Sequence, residues 1–346
     1  MTSRVLSLRS ARGVIAALSA VCAMAVSAAE TPPYEQRSTA TAPFTSVRVL
    51  DVERMPLERG QYGSTNWGTR TLWRGPNGNG TLRILYVPPG AQGAYVHYHT
   101  FHEWAYNIQG DFTNNESTNP LNVSGPVQRF REGYFLSRPP YSLHGGERGR
   151  MPHMMSQIGA VILIMEESGV WGETFAVDPA VEKDPSLVKH YGFDHNYKQV
   201  KHWSTPRIID TIDKMPWQPV EGVPGLNAKY LIDDPAHGFR ARMWFLEAGA
   251  QTPEMLLPHY YKQAHQFNFV INGDLKLQAY ANEKKPAETL QLDKHFFFER
   301  PPMAIVGVAP GVATEYGAVW LEVTYAKGTA WTKEPTDIED PIYVNK

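Results

Sequence analysis

The chain has almost no thiol, no excess of either charge and no long apolar run, and each shortage narrows what it can be. Its single cysteine, Cys22, sits inside the apolar run 14–26. The mature protein therefore has none and needs no disulfide machinery in an oxidising compartment. Lys and Arg number 33 against 35 Asp and Glu, which leaves no field strong enough to recruit nucleic acid or an acidic membrane surface. The run 14–26 is too short to favour a permanent membrane span, which takes about 20 residues. Helical periodicity is scarce. The glycine-rich stretch 75–80 lacks the spacing of a phosphate-binding fingerprint and has no clear helix after it, so it reads as a turn.

What is present begins with a leader. Arg4, Arg9 and Arg12 precede the apolar run, and Ser27, Ala28 and Ala29 supply small residues before Glu30. This is the pattern of a secretory signal peptide over residues 1–29, cut after Ala28 or Ala29, and it predicts a periplasmic or secreted protein with no membrane association after cleavage. Val21 and Ser19 fit a lipid-attachment site at Cys22 poorly. The remainder, rich enough in apolar (42%) and aromatic (12%) residues for packed cores, has room for two ordinary domains.

Residues 30–43 read as a flexible lead-in, 45–52 as a strand and 71–86 as a hairpin. The polar stretch 111–126 reads as an insertion between strands, and its two sequons, at Asn115 and Asn122, as coincidence in an Asn/Ser-rich loop. A fully apolar run over 159–165 predicts a buried strand ending in Glu166 and Glu167 near a rim, where one carboxyl can serve as proton donor. The pattern then restarts. Arg-Val-Leu-Asp51 with Met55-Pro56 returns as Arg-Ile-Ile-Asp210 with Met215-Pro216, Arg138-Pro-Pro returns as Arg300-Pro-Pro, and Gly159-Ala-Val returns as Gly317-Ala-Val, at an offset of about 160 residues. Short strands with frequent Gly/Pro turns argue for an all-β chain of two tandem β-barrel or jelly-roll domains. The boundaries expected are 43–200 for the first and 201–346 for the second.

The chemistry concentrates in the first copy. His97 and His99 share a strand face, and Glu103 has the same parity if pairing continues round the turn. Two imidazoles and a carboxylate crowded in a half-buried sheet point to a divalent transition metal. A second segment, 133–144, reads as strand, proline turn and strand start, and delivers His144. Tyr95 and Asn107, by parity, and Tyr141, by position, are candidate substrate contacts. The group Met151, His153, Met154 and Met155 is irregularly spaced and reads as packing rather than a copper site.

The spacing resembles the cupin family, whose first motif runs G(X)5-6HXH(X)3-4E(X)6G and whose second runs G(X)5PXG(X)2H. Gly90, His97, His99, Glu103 and Gly110 match the first; Gly133, Pro139 and His144 match the second. Tyr141 stands where the family has glycine, and Arg148 where it has asparagine. The resemblance implies a two-barrel cupin in which His97, His99, Glu103 and His144 hold one metal. Fe(II) is favoured, and Mn(II), Ni(II), Cu(II) and Zn(II) remain open. In the second copy His259 and His265 stand as ordinary polar residues, with Gln266 in place of Glu103 and Val306 in place of His144, which leaves too few ligands for a tight site.

Expected of such a centre is a dioxygenase that cleaves a C–C bond of a small enolisable or phenolic substrate, with Glu103 doubling as general base. The alternatives are a non-oxidative lyase, decarboxylase or isomerase using the metal as Lewis acid, and a non-catalytic ligand- or metal-binding protein. The expected partner is a small molecule, and a homo-oligomer is left open.

Overall fold

The computed structural model describes residues 31–62, 65–117, 128–146, 155–167, 172–284 and 287–344. The expected signal peptide, Asn122 and the Met/His group except Met155 lie outside them. Residues 33–346 form one compact unit. Among the described residues no helix is long and apolar enough to cross a membrane.

The fold is all-β, two jelly-roll barrels packed sheet against sheet. In the first barrel the inner sheet runs through Glu58–Tyr62, Thr65–Arg74, Thr81–Val87, Ala160–Glu166, Glu103–Ser117 and Tyr134–Arg138. Its outer sheet is built from Thr174–Ala176, His97–His99, Leu143–Gly145 and the far half of Glu103–Ser117, with Gln128–Arg131 at the edge. The second barrel repeats the scheme, with Leu226–Asp234, Phe239–Leu246, Ala318–Tyr325, His265–Gly273 and Phe296–Arg300 inside and Ala287–Leu292, Leu275–Tyr280, Ile305–Val308 and His259–Tyr260 outside.

The apolar run 159–165 forms the strand Ala160–Glu166, buried on both faces, and the reason is its place between two cores. Ile162 and Ile164 point into the first barrel with Leu85, Ala105 and Phe112. Leu163 and Met165 point the other way, into an inter-barrel core with Trp104, Tyr106, Phe239, Phe267, Phe297 and Tyr325. Trp104 Nε1 donates to Tyr325 Oη across that seam at 3.0 Å.

Two expectations need correction. The stretch 111–126 is not wholly an insertion. The strand Glu103–Ser117 carries straight on past Gly110, whose φ of 77° turns the chain from inner to outer sheet. The polarity there reflects side chains facing a polar interior, not solvent, and Asn115 is buried. The division near residue 200 also fails to separate the sheets. Arg48–Asp51 pairs with Phe296–Arg300 of the second barrel, and Arg207–Asp210 pairs with Tyr134–Arg138 of the first. Each copy lends its first strand to the other, so neither sheet is complete alone.

Two short helices, Pro179–Glu182 and Pro185–Tyr191, lead out of the first barrel. Each is capped by the Asp before its Pro: Asp178 accepts from the Ala180 amide at 2.8 Å and Asp184 from the Ser186 amide at 2.9 Å. The second helix sets Tyr191 against the ring of His97 at 5.6 Å.

Candidate metal centre

The strand His97–His99 sits between two others. His144 lies directly opposite His97, and Thr174 directly opposite His99. Alternation puts Tyr98 on the outer face and both histidines inward. The rings of His97 and His144 are 4.2 Å apart by centroid, and His99 is 4.9 Å from each. One nitrogen from each of the three lies within 4.8 Å of the others, and all three residues are buried. Three nitrogens bound to one ion at ~2.1 Å stand roughly 3.0–3.6 Å from one another, so the rings converge on one centre and would draw in by about an ångström to hold an ion.

Which nitrogen faces inward is fixed from outside. His97 Nδ1 meets the Tyr95 carbonyl at 2.6 Å and His144 Nδ1 meets the Ser142 carbonyl at 3.1 Å. A carbonyl only accepts, so both imidazoles carry their proton on Nδ1 and turn the Nε2 lone pair inward. His99 Nδ1 meets Thr174 Oγ1 at 2.8 Å. Its Nε2 is buried without a hydrogen-bond partner, although Glu103 Oε2 is 3.1 Å away. Burial, then the neighbouring His99, pulls His97 down to about 3. Burial likewise holds His144 well below the ordinary imidazole range, with Arg138 adding to the effect. Neutral rings with lone pairs converging on a site beside a carboxylate fit a divalent ion.

Glu103 comes from the other sheet. Its Oε1 is 3.9 Å from His144 Nε2 and also accepts from Arg138 Nη1. Burial works to raise this carboxyl, but Arg138 and the histidines outweigh it and hold Glu103 well below the usual carboxylate range. Arg138 is itself clamped by Glu116, at 2.5 Å from Nη2 and 3.0 Å from Nε. Burial pushes Glu116 up, against the pull of Arg138. The carboxylate thus faces the three nitrogens while a buried Glu116–Arg138 pair anchors it from behind.

Glu103, His97, His144, Arg138, Arg83 and Glu166 line a cavity of about 70 Å³, with apolar walls from Leu85, Ala105, Phe112 and Met155. Arg83 Nη2 and Glu166 Oε2 pair at 2.5 Å. Glu167 points away into the seam, where both its oxygens accept from the Trp331 amide at 3.1 Å.

The three expected substrate contacts land elsewhere. Tyr95 packs edge-on against Tyr191 at 6.1 Å in a satellite cluster, and it is its carbonyl, not its ring, that serves the site. Asn107 keeps the parity of Glu103 but lies two steps deeper than Ala105, where Nδ2 ties down the carbonyls of Gly110 and Phe130, each at 3.2 Å. Tyr141 is 40% exposed and stacks on Tyr98, on the outer face. Its φ of 67° is the left-handed conformation that glycine adopts freely. Arg138, Glu116 and Arg83 were not expected at the site. The one signal for Arg138 was its recurrence as Arg300.

In the second barrel the same rungs carry different residues. His259 lies opposite Val306, as His97 lies opposite His144. Gln266 lies opposite Arg300, as Glu103 lies opposite Arg138. The Met303 amide donates to the Tyr261 carbonyl at 2.7 Å, as the Tyr141 amide does to His99, so Tyr261 replaces His99. His265 faces the seam, pairing with Glu299 at 3.1 Å. Among the described residues, only the His97, His99 and His144 group brings together three side chains able to hold an ion.

No family model matches the sequence, and no curated protein matches it. Among solved structures, the chain is similar to the Lactobacillus farciminis oxalate decarboxylase in its formate complex, with a TM-score of 0.53 at 15% identity over 89% of this chain and 90% of that one. Bacillus subtilis oxalate decarboxylase at pH 4.6 gives a TM-score of 0.51 at 14% identity, covering 91% and 81%. At this identity the likeness speaks to the fold: both chains run through two jelly-roll domains.

Proposed function

We propose that this protein is an exported metal-dependent lyase of the cupin fold that removes CO2 from a small carboxylic acid without consuming oxygen. The observation that carries the reading is the outward locking of Nδ1 in His97 and His144, which leaves lone pairs converging beside Glu103. His97, His99, His144 and Glu103 would hold a first-row divalent ion, which supplies Lewis-acid polarisation of a substrate oxygen.

Size and charge favour a small acid over the diketone or phenol of a dioxygenase. Drug-sized ligands occupy roughly 300–1,000 Å³, and this cavity offers about 70 Å³. Two guanidinium groups, Arg83 and Arg138, face three carboxylates, Glu103, Glu116 and Glu166, so the side chains alone leave one negative charge. A divalent ion reverses that to one positive, which a carboxylate substrate neutralises. The oxalate decarboxylases that share the fold carry out this class of reaction, and the likeness supports the lyase reading. Glu166 lines the cavity with Oε2 held by Arg83, which leaves Oε1 as the atom that can take a proton from solvent and pass it to the carbon losing CO2. Apolar walls keep bulk water from that carbon.

The test is CO2 release from C2–C4 mono- and dicarboxylic acids by protein loaded with Mn(II) or Fe(II), with oxygen uptake followed in parallel. CO2 release without matching oxygen consumption is expected. Stoichiometric oxygen uptake would restore the dioxygenase, and inert, fully loaded protein would leave a binding role.

A further inference from the structure

The second barrel has its own unanswered chemistry. Four nitrogen donors on its strands are buried without a hydrogen-bond partner: Arg242 Nε, Trp244 Nε1, Asn268 Nδ2 and Arg300 Nε. Register makes them neighbours. Arg242 and Asn268 flank Glu322 from either side, Trp244 lies one row deeper opposite Trp320, and Arg300 lies one row outward opposite Gln266. Residues two apart on a strand share a face, so all four belong to the face that lines this barrel. Every one is a donor. Buried polar groups are nearly always paired, and four orphans of one kind in adjoining rows call for a single source of acceptors.

Charge points the same way. Arg300 is 5% exposed, yet its partners are neutral: His259 Nε2 at 2.8 Å, Gln266 Oε1 at 3.1 Å, the His259 carbonyl and the face of Tyr261 at 5.1 Å. Burial draws its guanidinium down to about 10. Arg240 is matched by Asp233 at 3.1 Å, so on these rows Glu322 alone faces both Arg242 and Arg300. The face carries one uncompensated positive charge.

We propose that the second barrel is a binding site for a small carboxylate anion, held by Arg300 Nε and Asn268 Nδ2 with Trp244 Nε1 and Arg242 Nε within the same rows. One excess charge suits a monoanion, and paired donors suit the two oxygens of a carboxylate. The site is independent of the reaction in the first barrel. Where that barrel reaches its positive charge with an ion, this one reaches it with Arg300.

The experiment titrates the full chain with acetate at constant ionic strength, chloride as the control, and reads calorimetric binding and Tm. The double variant His97→Ala/His99→Ala, which lacks the first site, is expected to bind one acetate per chain and to gain Tm, and metal-loaded wild type to keep that site beside any acetate held in the first barrel. Arg300→Met is expected to weaken binding roughly tenfold or more, with Arg300→Lys recovering part of it. Should Arg300→Met fail to fold, Trp244→Phe decides, since it removes one donor while keeping an aromatic ring and is expected to weaken acetate several-fold. Acetate acting no differently from chloride, unchanged acetate affinity in these variants, or two divalent ions per chain would each overturn the proposal.

Discussion

Arg138 and Arg300 stand on the same rung of two copies of one barrel, the first opposite Glu103 and the second opposite Gln266. The first guanidinium is buried between two carboxylates, Glu103 and Glu116. The second is buried among neutral groups and bonds the imidazole of His259, the counterpart of His97. The same rung thus anchors Glu103 in one barrel and bonds His259 in the other.

Removing the anchor should cost more than removing a surface pair. Arg138→Met leaves Glu103 and Glu116 buried and unpaired, and breaking such a pair costs about 3–5 kcal/mol. Urea unfolding should show a loss of that order, and Arg138→Lys should recover little of it because it cannot bridge both carboxylates. A loss below about 1 kcal/mol, the scale of an exposed pair, would count against the anchoring role.

Metal removal is the second check. His97→Ala is expected to lose most bound metal while keeping the far-ultraviolet circular dichroism of the wild type. An ion present at 100 times its Kd stabilises the fold by about 2.7 kcal/mol, so chelation should lower Tm and re-addition should restore it. A Tm indifferent to both would sink the assignment of these four residues as ligands.

Stability should be highest at mildly acid pH and fall on either side, for opposite reasons. An unfolded imidazole titrates near 6.5, whereas burial and His99 draw His97 to about 3 in the fold. Between those values the unfolded chain binds the extra proton, so the contribution is full above 6.5 and is lost as pH falls through the window. For Glu167, burial wins over the amide of Trp331 and raises the carboxyl from 4.5 to about 8. There the folded chain holds the extra proton, so the contribution is full below 4.5 and is lost as pH rises through 8. Glu167→Gln should abolish the alkaline loss and leave the acid one, as read from urea midpoints across pH. An unaltered alkaline limb would contradict the assignment.

Tyr141 carries a left-handed φ that glycine adopts at no steric cost. Tyr141→Gly relieves the backbone and gives up the stack on Tyr98, whereas Tyr141→Ala gives up the stack and keeps the strain. The glycine variant should therefore unfold at higher urea than the alanine variant, by about 1 kcal/mol. The reverse order would show that the turn is not strained.

Asn107→Ala should behave as a structural change. It removes the ties to Gly110 and Phe130 and should cost about 1–3 kcal/mol while metal content and KM stay near wild type. A large rise in KM at unchanged stability would return Asn107 to the substrate.

Much of the centre could be read from spacing because its parts are local. His97, His99 and Glu103 lie within one strand and the turn to the next, where parity alone aligns side chains, and His144 follows a proline turn of fixed length. The matching rungs of the second barrel were equally legible, since Gln266 and Val306 stand where Glu103 and His144 stand in the first. Tyr95 misled because parity fixes a face and not a neighbour: the helix Pro185–Tyr191 claims its ring. Asn107 misled because the same face runs from the mouth of the barrel down to its floor.

The amino-acid order by itself determined the all-β class, the doubling and the convergence of His97, His99 and His144, since alternation, turn residues and motif spacing act over a few residues. The tertiary structure alone decided the strand exchange between barrels, the anchoring of Glu103 by Arg138 and Glu116, and the bare donors around Arg300. Each of these depends on which strands lie side by side, a matter of long-range pairing and of burial from two directions, and neither leaves a mark in local spacing.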